Sequence, residues 1–426
     1  MRRLYRLFLL VLDGSSVYNW TMPPLIPPTP PIRRLSPPPT RSTFLFGPRG
    51  TGKSTYAQQC FPDALLLDLR SGPIARMLAA EPERLHDTLD ATAVDRWVVI
   101  DEVQRVPAIL DAVHQRMDRE PARRFLLTGS SARSLHRAGV NLLGGRAGRR
   151  IMSPFLAAEL GSAFSVATAQ RVGLLPVIWT AESAEQALAD YATVAVFDEV
   201  RAEARVRQID GFARALEQLA LSHGSVISPT AIAQLAAVKK STVVDWIDVL
   251  ESMFLIARVP VFSARPSRRA LAAQPKLYFA DTGIAAAFRP TDSARVAPDA
   301  IGAAREGLVY QHLAAWCEGQ RDARLSTWRT IGGVEVDFVV ETSAGLVAVD
   351  VKSGHTLRPA DRRGLLAFHD EFPDAQLIAL ADVPMTQQLG PITIFPIAEF
   401  LLGIVPGTSL PVVCDHSHRS RSTSHE

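Results

Sequence analysis

The chain has 426 residues, 46 Lys and Arg against 43 Asp and Glu, 47% hydrophobic residues and three cysteines. That length fits two or three domains, and three scattered cysteines without a CxxC pair exclude a disulfide framework and a structural zinc site, so a reducing cytoplasm is the expected location. A formal charge of +3 sets no bulk field toward nucleic acid or membrane, and any such partner must be met by local features.

Thirty prolines exceed the usual share of roughly 5%, and many cluster in PPLIPPTPPIRRLSPPP, Pro23 to Pro39. Such a segment lacks the backbone donors of a helix or sheet, so residues 1–41 are expected to form an extended, disordered tail. Before it, Arg2, Arg3 and Arg6 precede the apolar run Leu7 to Leu12. That run is shorter than the apolar core of an export signal and no small-residue cleavage site follows. Translation from Met22 is an alternative reading of the same segment. No later stretch approaches 18 consecutive apolar residues, so no membrane partner is expected.

From Ser42 the pattern is that of an α/β domain. The apolar run Thr43 to Phe46 predicts a strand, and a helical stretch through Cys60 stops at Pro62. Between them stands GxxxxGK[S/T] without a mismatch: Gly47, Pro48, Arg49, Gly50, Thr51, Gly52, Lys53, Ser54, followed by Thr55. Glycines let the backbone wrap so that successive amides face phosphates at a helix start. Lys53 suits the β and γ phosphates of ATP and the Ser54 hydroxyl suits Mg2+.

A second strand, Arg96 to Ile100, ends at Asp101 and Glu102. The carboxyl end of a strand is where ligands bind in open α/β sheets; there Asp101 would hold Mg2+ and Glu102 would polarise the attacking water. A third strand, Arg124 to Thr128, leads to Ser130. Ser130 is read either as a sensor of the γ phosphate or as the cap of the next helix. In GGRAGRR, Arg146 is the better candidate for an arginine that stabilises transferred phosphoryl charge, from its own chain or from a neighbour.

In this order and spacing, GPRGTGKST, WVVIDEVQRVP, RFLLTGSSAR, NLLGGRAGRR and SPFLAAELG resemble the AAA-type P-loop ATPases of bacteria and archaea that carry a C-terminal domain of unknown function. The similarity continues through LESMFLIARVPVF, PKLYFADTGI, EGLVYQHL, GGVEVDFVV and VAVDVKSG, so it spans about residues 42 to 402. The resemblance implies a Walker A site over Gly47 to Thr55, a Walker B pair at Asp101 and Glu102, Ser130 as sensor and Arg146 as a finger acting on a neighbouring subunit. It therefore implies a homo-oligomer.

Downstream, Ser183 to Leu221 alternates charged and apolar residues at helical spacing, which predicts amphipathic helices with a solvated charged face. Ser228 and Pro229 then open a helix over Thr230 to Ala236, a turn near Ala237 to Lys240, a second helix over Ser241 to Met253 and a strand-like LIARVPVF. This is the outline of a winged helix. Lys239, Lys240, Ser241 and Thr242 suit a DNA backbone, whereas Asp245, Asp248 and Glu251 would repel it, so DNA docking and plain packing both stand.

The last third predicts two strands, Val334 to Glu341 and Leu346 to Lys352, around a turn at Thr342 to Gly345. A hairpin symmetric about that turn sets Asp337 opposite Asp350 and Glu335 opposite Lys352. Two facing carboxylates are destabilising unless something positive lies between them, and a divalent metal is the obvious candidate. Asp337 with Asp350-Val351-Lys352 follows the D…(D/E)xK pattern of restriction-endonuclease-like nucleases, with Glu306 from a helix as a further carboxylate. An inert nuclease fold is the alternative.

The expected layout is thus an α/β protein with a P-loop ATPase domain at 42–165, a helical and winged-helix-like region at 166–265, a restriction-endonuclease-like domain at 266–402 and a disordered tail at 403–426. The expected cofactors are ATP and Mg2+, with DNA as a candidate partner. Three functions follow: an ATPase driving a DNA-associated nuclease-like end, a nucleotide-switched regulator with an inert end, or a nuclease licensed by ATP.

Overall fold

β1 (Thr43–Phe46) is wholly buried because it lies inside a five-stranded sheet with side chains packed on both faces. The computed structural model describes residues 32–131, 145–204, 208–263, 274–290 and 298–411. β2 (Leu65–Asp68), β3 (Val98–Asp101), β4 (Phe125–Gly129) and β5 (Gly148–Ile151) complete that sheet in the order β2-β3-β4-β1-β5, with every neighbouring pair parallel. Phe44, Phe46, Ile100 and Leu127 face one core and Leu45, Val99 and Leu126 the other, the alternation that a strand imposes. Because β4 lies between β1 and β3, the ends of all three stand together at one edge.

Residues 32–41 differ from the expected tail. Arg34 donates to Glu159 Oε1 (2.9 Å) and to the carbonyls of Thr51 (2.9 Å) and Ser153 (2.8 Å), and Tyr56 donates to Pro37 O at 2.9 Å. Proline removes backbone donors but leaves the carbonyl acceptors, and Arg34 from within the segment, with Tyr56 and Arg150 from outside it, fastens it. The first 31 residues, with the export-like run and Met22, lie outside the described residues.

The middle region is helical, as its periodicity predicts: Ala184–Asp190, a π-helical turn Tyr191–Ala195, Val196–Ala204 and Ile209–Leu221. Helices Pro229–Ala236 and Lys240–Ser252 follow, the first capped by Ser228 Oγ, which accepts from Ala231 N at 3.3 Å. Ala237 makes the turn without a glycine by adopting φ 55°. Lys239, Lys240, Asp245 and Asp248 are exposed, and Arg258 pairs with Asp248 at 3.0 Å and with Glu251, which offsets part of the acidic face. β6 (Ser225–Val226), β7 (Ile256–Val259) and β8 (Lys276–Phe279) form an antiparallel sheet in the order β6-β8-β7. β8, on the far side of the expected boundary at 265, therefore pairs with the middle region.

The last unit is a six-stranded mixed sheet, β13-β14-β12-β11-β10-β9, made of β9 (Arg324–Arg329), β10 (Glu335–Thr342), β11 (Gly345–Val351), β12 (Gln376–Ala381), β13 (Gln387–Leu389) and β14 (Ile392–Pro396). Helix Pro298–Glu318 packs on one face and helix Arg363–Glu371 on the other. Residues 403–411, expected in the tail, also pack: Ile404 and Leu410 are buried and Trp316 Nε1 donates to Thr408 O at 2.9 Å. Cys414, His416 and His418 lie outside the described residues. Among those residues no helix is long and apolar enough to cross a membrane.

Candidate active site

The loop after β1 closes on itself. Gly47 has φ 147° and a Cβ there would sit 2.4 Å from Met152 O; Gly50 has φ 82° and a Cβ would sit 2.5 Å from Val177 Cγ1. Side chains are excluded at both by backbone conformation and by contact. Thr51 Oγ1 donates to Pro48 O at 2.8 Å, and helix Lys53–Cys60 begins at Gly52. Lys53 is buried, and its Nζ donates to Gly47 O (2.8 Å) and Pro48 O (2.9 Å). Burial lowers its pKa, opposed by the charges of Glu102, Glu199 and Asp101.

Ser54 Oγ donates to Asp101 Oδ2 at 2.7 Å, and Thr128 Oγ1 donates to Asp101 Oδ1. Arg70 Nη2 lies 3.1 Å from Asp101 Oδ2 while its guanidinium also pairs with Asp68. Glu102 takes φ 61°, uncommon for a residue with a Cβ, and its N–H donates to Thr128 Oγ1 at 3.1 Å. Such backbone strain concentrates at functional sites. Gln104 Nε2 bridges Glu102 Oε2 (2.5 Å) and Ser130 Oγ (3.0 Å), and Ser130 Oγ in turn donates to Glu199.

The structure thus brings together Lys53, Ser54, Asp101, Glu102 and Ser130. Arg146 stands apart. It is exposed, pairs with Asp118 at 2.7 Å and precedes Gly148, which aligns with Thr43 at the start of β1. Its own loop lies past the other end of that strand, a length of about 13 Å for four residues. Placement at the far edge of the sheet takes Arg146 away from the phosphate loop of its own chain. Thr128, Gln104, Arg70 and Glu199 are the residues sequence reasoning missed. Thr128 was visible as the last residue of a predicted strand; Glu199 was hidden among helix charges read as solvated.

In the last unit the observed register, Phe338 with Val349 and Val339 with Ala348, extends to Asp337 facing Asp350, as the hairpin symmetry predicts. Asp337 Oδ2 accepts from Val351 N at 2.8 Å, and Lys352 Nζ lies 2.8 Å from Asp350 Oδ2. Glu306 lies midway along helix Pro298–Glu318. Side-chain cations stand at these carboxylates: Lys352 at Asp350, and Lys276, whose Nζ lies 3.0 Å from Glu306, 3.4 Å from Asp337 and 3.7 Å from Glu335. Burial, then the charge of Asp337, raises Glu306 to about 7, and Tyr278 OH donates to it. Burial followed by Asp337 also raises Asp350 well above the carboxylate range. Among the described residues no group of three or more His, Cys, Asp or Glu is arranged to hold a metal ion.

Comparison with known proteins divides the chain into three matches. Residues 39–161 match the family described as AAA domain, residues 165–295 a domain of unknown function (DUF8612) and residues 301–400 a second domain of unknown function (DUF4143). No curated protein matches the chain. Among solved structures, a signal transduction ATPase with numerous domains and a tetratricopeptide repeat sensor from Pyrococcus horikoshii is 12% identical, with a TM-score of 0.21, over 65% of this chain and 45% of its own. The chain thus spans less than half of that protein. A DNA polymerase III gamma subunit-related protein from Thermotoga maritima is 11% identical, with a TM-score of 0.23, over 50% of this chain and 93% of its own. The five-stranded parallel sheet and the P-loop pattern Gly47 to Ser54 both lie inside residues 39–161, the stretch that matches an AAA domain.

Proposed function

We propose that this domain binds ATP with Mg2+ and hydrolyses the bond between its β and γ phosphates, giving ADP and phosphate. The observation that carries this reading is the Ser54 to Asp101 contact at 2.7 Å. It joins a hydroxyl and a carboxylate, the oxygen donors a hard divalent cation takes, at the helix start where phosphates bind. Bound there, Mg2+ would neutralise phosphate charge. The backbone N–H groups of Arg49 to Thr55 cradle the phosphates, and Lys53 exchanges the carbonyls of Gly47 and Pro48 for phosphate oxygens. Glu102 takes the proton of the attacking water, and Ser130 donates to the γ phosphate. Arg146, at the far edge of its own sheet, serves a neighbour's site, which requires a homo-oligomer.

For the remainder, we propose a winged-helix-like middle that runs from 166 through β8 and a nuclease-like end built on the six-stranded sheet, both responding to the nucleotide cycle in the cytoplasm, with DNA as candidate partner. Lys276 favours the second reading, in which the end is catalytically inert: a buried ammonium already neutralises Glu306 and Asp337. Lys53→Ala and Asp350→Ala, each assayed for ATP turnover and for Mg2+-dependent DNA cleavage, separate the readings. ATP turnover surviving Lys53→Ala contradicts the nucleotide site. Cleavage by the wild type that is lost in Asp350→Ala contradicts the inert end.

A further inference from the structure

Glu199 is a charged group at the nucleotide site that hydrolysis does not employ. It belongs to helix Val196–Ala204, outside the AAA match, yet it accepts from Ser130 Oγ. It is partly buried and interacts electrostatically with Glu102, Lys53 and Arg49. The helix is reached through the π-helical turn Tyr191–Ala195, a rare element that recurs at functional sites. The first residue of that turn, Tyr191, donates its hydroxyl to Arg49 O at 2.9 Å. One arm of the middle region therefore touches the phosphate loop at Arg49 and the strand tip at Ser130.

A carboxylate that accepts from Ser130 within the field of Lys53 presents the same chemistry as a terminal phosphate: anionic oxygen. Ser130 has one O–H to donate, and two anions beside one another repel in a poorly solvated site. A diphosphate brings no third phosphate into this competition.

We propose that Glu199 is a specificity-determining gate: it holds the Ser130 donor that the γ phosphate needs, so a nucleoside triphosphate must displace it, and the arm carrying it, while a diphosphate leaves it seated. The gate rests on the reading of Ser130 as the residue that meets the terminal phosphate. It also supplies a route by which γ-phosphate occupancy reaches the middle region, since a ligand shifts a conformation only through differential contacts.

The test is calorimetric binding of ADP and of a non-hydrolysable ATP analogue, each with Mg2+, to the full chain and to Glu199→Ala and Glu199→Gln. The expected result is ADP affinity within about twofold across the three proteins. The preference for triphosphate over diphosphate should rise about tenfold in Glu199→Ala, a change of 1.4 kcal/mol, and by less in Glu199→Gln, which keeps an acceptor but loses the charge. In a Ser130→Ala background the same Glu199→Ala change should add little, because the shared donor is gone. ADP binding with an unchanged or reduced triphosphate preference in both variants overturns the gate. Failure of the wild type to bind either nucleotide overturns the nucleotide site itself.

Discussion

Ser54 Oγ and Asp101 Oδ2 are hydrogen-bonded at 2.7 Å although 47 positions separate them in the chain. The contact exists because β4 spaces β1 from β3 in the sheet, and Thr128 on β4 holds the other carboxylate oxygen. Thr128→Val keeps the shape of that side chain and removes both its hydrogen bond to Asp101 and the acceptor for Glu102 N. ATP turnover is expected to fall at least about tenfold, in keeping with one charge-assisted hydrogen bond of roughly 1.5–3 kcal/mol. Steady-state phosphate release against Mg2+ concentration checks it; a shift to higher Mg2+ demand is expected as well.

Arg146 lies at the opposite edge of the sheet from its own loop. Arg146→Ala alone and Lys53→Ala alone should each be nearly inactive. Mixing the two should restore turnover, because some sites then combine an intact Lys53 with a neighbour's intact Arg146. A mixture no more active than its components contradicts action between subunits.

Lys276 stands among Glu306, Asp337 and Glu335. Lys276→Met leaves buried carboxylates without their cation and should destabilise the chain by about 3–5 kcal/mol. Glu306→Gln in the same chain should recover part of that loss. Equilibrium denaturation of the single and double variants measures both.

Asp281 is buried and accepts from Leu174 N (2.6 Å), Gly283 N (2.9 Å) and Ile284 N (3.2 Å). Burial nevertheless raises it to about 6 from an ordinary 3.8, with the backbone donors opposing. A carboxyl whose folded pKa is raised lends stability that is full below the unfolded value and is lost as pH rises through the folded one. Asp281→Asn has no such titration and loses one acceptor, so it should be less stable, with a deficit that shrinks from pH 4.5 to pH 7. Thermal midpoints of both proteins across that range decide it; a deficit that grows with pH contradicts the assignment.

Much of this was legible in the sequence because the relevant signals are local. The loop Gly47 to Ser54 is contiguous, and the strands before Asp101 and Ser130 announce themselves by apolar runs. The facing of Asp337 and Asp350 follows from period-two alternation around a short turn. What the sequence hid depends on long-range packing. Lys276 enters the carboxylate cluster from β8, and Glu199 reaches Ser130 from the helix that follows the π-helical turn Tyr191–Ala195. A helical charge pattern cannot distinguish a solvated glutamate from one turned into another domain. Arg34 likewise fastens residues 32–41 by contacts more than 100 positions away, which composition does not encode.

Glu102 offers the most direct test, because its substitution separates holding ATP from hydrolysing it. Glu102→Gln retains the shape of the side chain and cannot take a proton from water. Single-turnover phosphate release and ATP binding should be measured together on wild type and variant. The account predicts that ATP affinity is kept and that the hydrolysis rate falls at least about a hundredfold, the lower bound for loss of a general base. Wild-type hydrolysis rates in Glu102→Gln would contradict it.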